Sequence, residues 1–240
     1  MTDPLYIQDS YAKNAIGTVI DITPDNGIVL DQTIFYATSG GQAGDQGRLV
    51  WAGTETTIET TIKGDGGISI LMPKAGDAIP SVGDKVEQYI DWDLRYAHMR
   101  MHTALHLLSV VIPLPVTGGS ITASKGRLDF DMPDAPEDKD ALTATLNALI
   151  TQDHDVSDLW ITDAELDANP GLVKTMSVSP PKGAGRVRLV RIGNDTDQVD
   201  LQPCGGTHVR KTGEIGAVII GKIEKKGKQN RRVNLFFAES

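Results

Sequence analysis

His102 and His106 stand four residues apart in "HTALH", and Cys204 and His208 repeat that spacing in "CGGTH". On a helix, residues i and i+4 share one face about one turn apart, so two imidazoles spaced this way can bind one metal ion. A thiolate and three imidazole nitrogens suit zinc. Gly205 and Gly206 lie inside the second pair and would let backbone and substrate come close to an ion. Each residue alone has a plainer explanation. A single helical histidine is more often packed or solvated than a ligand, and a lone cysteine is usually a small buried hydrophobe. What points to a metal is the combination: two four-residue spacings that use the chain's only Cys and three of its five His. Of the remaining histidines, His98 drifts around the helix from His102, which fits a supporting or surface place. His154, in "QDHDVSD", reads as solvated loop.

A metalloprotease would place Glu directly after the first histidine as general base. Thr103 stands there instead, which excludes that chemistry. Four protein ligands would make a closed structural site, whereas a catalytic site keeps one position open. Spacing alone leaves both readings standing.

The elements that must position these residues fall into two halves. "NAIGTVIDI", "GIVLD", "GRLVWAG", "TTIETTIK" and "ISILMPK" are rich in β-branched residues and predict short strands, with Asp25-Asn26-Gly27 as a tight turn. Short strands at regular spacing predict a small barrel. The segment 74–90 carries Gly, Pro and charge, and the sequence period changes after it, which puts a boundary near residue 90. "DWDLRYAHMRMHTALHLLSVVIP" then predicts the first long helix, capped by Asp91 or Asp93 and ended by Pro113. Leu94, Ala97, Met101, Leu105 and Leu108 form its core stripe. "APEDKDALTATLNALITQ" predicts a second helix with acids in its first turn. "DLWIT", "RVRLVRIG", "QVDLQP", "GAVIIGKI" and "RVNLFF" predict strands.

One cysteine cannot form an intramolecular disulfide, which is compatible with a reducing compartment. The first residues show no basic stretch followed by an apolar run, and no apolar run approaches the ~18 residues that span a bilayer. A cytoplasmic protein without membrane association is expected. The net charge of −9 argues against a general nucleic-acid binder but leaves room for a local basic surface. Two stretches offer one. "KGAGRVRLVR" carries Lys182, Arg186, Arg188 and Arg191, and "GKIEKKGKQNRR" carries Lys222, Lys225, Lys226, Lys228, Arg231 and Arg232. The second is dense enough to bind phosphate. Alternatively it is a solvated hairpin whose lysines protect a sheet edge.

"HTALH" followed by "RVRLVRIG…VDLQPCGGTHVRKTGEIGAV" and "RRV" resembles the editing domain of alanyl-tRNA synthetase. "LDQTIFYATSGGQAGDQGRL" resembles the glycine-rich segment that precedes that domain in the synthetase and in the stand-alone editing proteins called AlaX. The related threonyl-tRNA synthetase domain usually has Pro where Thr207 stands and lacks "SGGQ", which favours the alanine system. The chain is too short to hold an aminoacylation core as well and is most similar to the medium-length AlaX type. The resemblance implies an α+β protein: a small β-barrel domain over residues 1–90, then a two-layer α/β editing domain with a zinc site over 91–240. It implies hydrolysis of the ester joining serine, or glycine, to tRNA(Ala), with that charged tRNA as partner; the sequence does not give the oligomeric state, and a monomer is the expectation. His102, His106, Cys204 and His208 would hold one Zn2+ with a bound water, the ion either activating that water or orienting the substrate. Rival readings are a zinc-structured RNA-binding module without catalysis and an editing hydrolase for another tRNA, such as Ser-tRNA(Thr).

Such editing has a physical reason. A pocket for alanine's methyl rejects serine only ~10²-fold. A second site that hydrogen-bonds the hydroxyl penalises alanine, which leaves a buried polar group unpaired at ~1–3 kcal/mol. The resemblance points to Thr122, in "SITASKGRLDF", as the reader of that hydroxyl, and an ordinary strand threonine is the alternative. Thr103 and Thr207 sit nearer the motifs, with Gly205 and Gly206 beside Thr207 at the substrate. Gly40, Gly41 and Gln42 would face the tRNA end or lock the two domains together. Asp129 and Asp131 read as strand residues rather than as a general base.

Overall fold

The computed structural model describes residues 2–176 and 185–238. The chain divides into two compact units, Met1–Tyr96 and Ala97–Ser240.

The first unit begins with β1 (Asp3–Pro4) and a single-turn α1 (Leu5–Gln8). It continues through β2 (Asn14–Ile22), β3 (Ile28–Leu30), β4 (Gln32–Thr33), β5 (Gly47–Trp51), β6 (Thr54–Lys63), β7 (Ser69–Pro73) and β8 (Lys85–Ile90). Six of these close into an antiparallel barrel in the order β2-β3-β7-β6-β5-β8, while β1 runs parallel to β4. The Asp25-Asn26-Gly27 turn joins β2 to β3, with Asn26 in the left-handed region at φ 62°. Val19, Ile28, Leu30, Phe35, Leu49, Ile58, Leu71 and Val86 fill the interior.

The sequence did not announce β8. Its inward positions are Val86, Gln88 and Ile90, so a glutamine interrupts the apolar alternation. Gln88 is wholly buried, and its amide explains why it is tolerated. Its Oε1 accepts from the Thr33 hydroxyl (2.7 Å) and the Ile34 N–H (3.2 Å), and its Nε2 donates to the Gln32 carbonyl (3.0 Å). The last residues of the glycine- and proline-bearing segment therefore close the barrel.

"SGGQAGDQG" belongs to this unit. Ser39 and Gln42 exchange backbone hydrogen bonds (3.2 and 2.9 Å) across Gly40 and Gly41, whose φ values are 56° and 86°. Two left-handed residues in a row make a tight turn that glycine adopts without strain. A Cβ on Gly44 would lie 2.0 Å from the Thr61 carbonyl oxygen, so glycine alone lets these backbones meet. Asp45 follows, buried, and Arg95 is the largest wholly buried side chain among the described residues. The Arg95 guanidinium grips both carboxylate oxygens of Asp45 and donates to the carbonyls of Ser10 and Ile34. The Tyr36 N–H adds a 2.6 Å bond to the same carboxylate.

The long helix α2 (Trp92–Val111) is capped by Asp91, which accepts from the Leu94 N–H at 3.1 Å. Of its expected stripe, Met101, Leu105 and Leu108 are buried, while Leu94 and Ala97 are only half-buried. From His98 to Ser109 every residue but Arg100 is buried, so the helix is enclosed on all sides rather than along one stripe. His98 is accordingly interior, not superficial.

The second unit continues with β9 (Val116–Ile121), β10 (Lys125–Asp131), α3 (Lys139–Thr151), β11 (Val156–Thr162), α4 (Asp163–Ala168), β12 (Arg186–Gly193), β13 (Gln198–Pro203), β14 (Val218–Lys225) and β15 (Asn230–Phe237). They form two antiparallel sheets, β14-β15-β10-β9 and β11-β12-β13. Asp138 caps α3 by accepting from the Ala141 N–H. Further along that helix, the Asn147 amide bonds both the N–H (2.9 Å) and carbonyl (2.8 Å) of Val218 on edge strand β14. Among the described residues, no helix is long and apolar enough to cross a membrane.

Removing one partner of a buried ion pair strands the other charge. Arg95→Met is therefore expected to cost ~3–5 kcal/mol in denaturant unfolding, and Arg95→Met with Asp45→Leu should recover most of that loss. A single variant as stable as the parent would show that the pair is dispensable.

Candidate metal centre

α2 presents His102 and His106 on one face, and Cys204 follows β13 directly, with His208 in the loop beyond. The ligating atoms of all four lie within 4.8 Å of one another. Cys204 Sγ is 3.4 Å from His102 Nε2 and 3.3 Å from His208 Nε2. Bond lengths of ~2.0–2.3 Å put the corners of a zinc tetrahedron roughly 3.3–3.8 Å apart, so the donor set fits such an ion. The three histidines are buried and Cys204 is half-buried.

Two of the rings are held in the tautomer that a metal needs. The Thr103 hydroxyl is wholly buried and donates its single proton to the Met99 carbonyl (2.9 Å). Its 3.2 Å contact with His208 Nδ1 must then be a bond that the ring donates, which leaves Nε2 with a free lone pair. His106 Nδ1 lies 3.0 Å from the Asp200 carboxylate, which only accepts, so the Nδ1 proton is held there and Nε2 is the nitrogen left for an ion.

The electrostatics of Cys204 and His208 agree, whereas His106 without an ion favours its charged form. Burial pushes the Cys204 thiol up, but the His102 and His208 rings beside it bring it well below its ordinary range. Burial, together with His102, holds His208 well below the usual imidazole value. Burial would lower His106 too, yet the Asp200 hydrogen bond and the neighbouring Cys204 push it up to about 9. The backbone N–H of Gly206 donates to Cys204 Sγ at 3.4 Å.

The ligand loop is held from the sheet. Arg188, on β12, donates to the carbonyls of Cys204 (3.1 Å) and Gly206 (2.8 Å) and pairs with Asp158 (2.8 Å). Thr207 is wholly buried. A Cβ on Gly205 would meet nothing within 4 Å, and its φ lies outside the left-handed region. Neither backbone conformation nor packing demands glycine there.

The remaining expected residues take part in local hydrogen bonds. Thr122 is exposed in the turn between β9 and β10, where its hydroxyl donates to the Lys125 carbonyl (2.9 Å) and accepts from the Lys125 N–H (3.1 Å). Gly40, Gly41 and Gln42 form the barrel unit's tight turn, and Gln42 is wholly buried. His154 is half-buried between α3 and β11, with its ring 2.8 Å from Gln152.

The basic clusters are largely committed to the fold. Arg188 holds the ligand loop, Arg191 pairs with Asp195, and Arg186 stacks on Trp160 at 4.7 Å. Lys182 lies outside the described residues. Arg231 is buried and donates to the carbonyls of Pro133, Gly227 and Asn230. Arg232 grips Asp129 with two bonds, 2.8 and 3.0 Å. Both arginines thus have partners within the fold. Lys222, Lys225, Lys226 and Lys228 are exposed on the β14–β15 hairpin, with Lys226 2.7 Å from Glu224.

Asp200 and Gln202 were missed as parts of the site. With Cys204 they alternate along one strand, which puts all three on one face, and that spacing was the available signal.

The family model described as threonyl and alanyl tRNA synthetase second additional domain matches residues 187–234, and that of class II (A) tRNA synthetases matches 7–94. The chain is 37% identical over 243 residues to an alanyl-tRNA editing protein AlaX-M of Methanosarcina acetivorans, covering 97% of this chain and 98% of that protein. It is 34% identical to the AlaX-M of Saccharolobus solfataricus, over 97% and 98% of the two chains. With an alanine–tRNA ligase of Pyrobaculum arsenaticum it shares 32% identity over 93% of this chain and 25% of the ligase. The barrel and the Cys–His unit are thus of the kind found within tRNA synthetases. The chain belongs to the AlaX family of alanyl-tRNA editing proteins.

One consequence of the Arg232 assignment concerns acid stability. Partial burial raises the Asp129 carboxyl, but hydrogen bonds from Arg232 and Arg127 outweigh this and hold it below its usual value. A carboxylate with a depressed folded pKa stabilises above its unfolded value of ~3.9, and that contribution fades as pH falls through the folded value. Asp129→Asn is expected to lower the unfolding midpoint at neutral pH and to make little difference once the parent carboxylate is itself protonated. Equal losses at both pH values would deny Asp129 this role.

Proposed function

We propose that this protein hydrolyses the ester of mischarged Ser-tRNA(Ala), and of Gly-tRNA(Ala), at a zinc site formed by His102, His106, Cys204 and His208. The observation that carries the reading is the convergence of four ligating atoms within 4.8 Å, drawn from the two motifs that the resemblance joins. Membership of the AlaX family supports an editing role, and the alanyl-tRNA editing named for the relatives supports tRNA(Ala) as partner.

Zinc bound there would supply Lewis acidity beside the ester. The chain's residues supply the rest. Thr103 and Asp200 keep the Nδ1 protons of His208 and His106 away from the ion. Arg188 fixes the Cys204 and Gly206 carbonyls. Gly205 leaves space beside the half-buried Cys204, the side from which an aminoacyl ester approaches. Thr122 reads the serine hydroxyl if it exchanges its Lys125 bonds for the substrate.

Purified protein should contain about one zinc per chain and hydrolyse Ser-tRNA(Ala) while sparing Ala-tRNA(Ala). Chelation and His102→Ala should slow every substrate together, whereas Thr122→Val should slow the serine ester more than the glycine ester. Zinc without hydrolysis of any ester in a panel that includes Ser-tRNA(Thr) would make the centre structural. Hydrolysis of Ser-tRNA(Thr) alone would assign another tRNA.

The hairpin lysines give a separate expectation. Neutralising Lys225, Lys226 and Lys228 together should weaken tRNA binding and flatten its salt dependence by ~0.9 in slope per lost phosphate contact. An unchanged slope would leave them as guards of a sheet edge.

A further inference from the structure

Behind His106 lies a set of polar side chains that a metal ion would not touch. Asp200 is only 3% exposed, and its two carboxylate oxygens are used separately. Oδ2 faces His106 Nδ1 at 3.0 Å and accepts from Gln202 Nε2 at 2.7 Å. Oδ1 accepts from Lys174 Nζ at 2.5 Å. The Lys174 ammonium also reaches Ser109 Oγ at 3.4 Å, one turn along α2 from His106.

A buried carboxylate is tolerable only when paired, and Lys174 is the cation that pairs this one. The lysine is held by its backbone independently of its side chain. Val116 N–H donates to the Lys174 carbonyl (2.9 Å), and Met176 N–H donates to the Val116 carbonyl (2.8 Å). The ammonium is thus delivered by a segment pinned beside β9, and the carboxylate by β13. Charge also matters. A dication with one thiolate and three neutral imidazoles carries a net +1. Asp200 alone would cancel that charge, and Lys174 restores it.

We propose that Asp200 and Lys174 act as a positioning pair for the metal centre: Asp200 fixes His106 with Nε2 toward the ion, and Lys174 fixes and neutralises Asp200. The inference rests on the reading that His102, His106, Cys204 and His208 hold a metal. Lys174 acts only through Asp200, so the two effects are not additive.

The test uses the whole chain and Zn2+ alone, titrated against a competing chelator, with the Co2+ absorption spectrum as a report on ligand geometry. Asp200→Ala is expected to weaken zinc binding ~10–100-fold and to shift the Co2+ bands. Lys174→Met should lose part of that affinity in the parent background and none further in the Asp200→Ala background. Asp200→Asn keeps an acceptor for His106 but no charge for Lys174, and its loss should be smaller. It decides the matter if Asp200→Ala does not fold. Parent-like zinc affinity and an unmoved Co2+ spectrum in the Asp200 variants would overturn the proposal. Additive losses from Lys174→Met and Asp200→Ala would overturn the lysine's part. A parent that binds no zinc would instead remove the metal reading beneath it.

Discussion

A buried imidazole can offer one nitrogen to a ligand only if something accepts the proton on the other. That requirement governs the second unit. His208 meets it with Thr103, a hydroxyl one position after a ligand histidine on the same helix, whose own proton is already given to Met99. His106 meets it with Asp200, carried in by β13. Each acceptor is buried, so each needs partners of its own: the Met99 carbonyl and the Val209 N–H for Thr103, Lys174 and Gln202 for Asp200. The enclosure of α2, the alternation of Asp200, Gln202 and Cys204, and the placement of Lys174 all follow from satisfying two Nδ1 atoms.

The cluster of His102, His106, Cys204 and His208 was legible because its spacing is short-range and its residue types are rare in this chain. Strand Asn14–Ile22 was legible because β-branched residues dominate it. Strand Lys85–Ile90 was not, since a buried glutamine breaks its pattern and its amide partners on Gln32, Thr33 and Ile34 are distant in sequence. The acceptors behind the histidines were hidden for the same reason. The Asp200–His106 bond joins residues 94 apart, and only the folded chain reveals it. The stripe expected on α2 failed in part because a helix buried all round has no single apolar face.

Charge was the least legible property. Clusters of arginine look like a surface for phosphate, yet Arg188, Arg231 and Arg232 spend their donors on carbonyls and carboxylates within the second unit. Arg95 does the same within the first. A guanidinium has five donors in a fixed fork and holds several backbone segments at once, so an arginine-rich stretch in an acidic protein is as readily scaffold as footprint. The lysines behave differently: those of the β14–β15 hairpin remain exposed.

Gly205 has a consequence of another kind. A Cβ there would touch nothing and would require no unusual backbone angle, although its neighbour Cys204 belongs to the group that could hold a metal ion. Packing and backbone geometry therefore leave the position open to a side chain. A series of residues of increasing size at 205 would narrow the space beside Cys204 while leaving the contacts of the fold as they are.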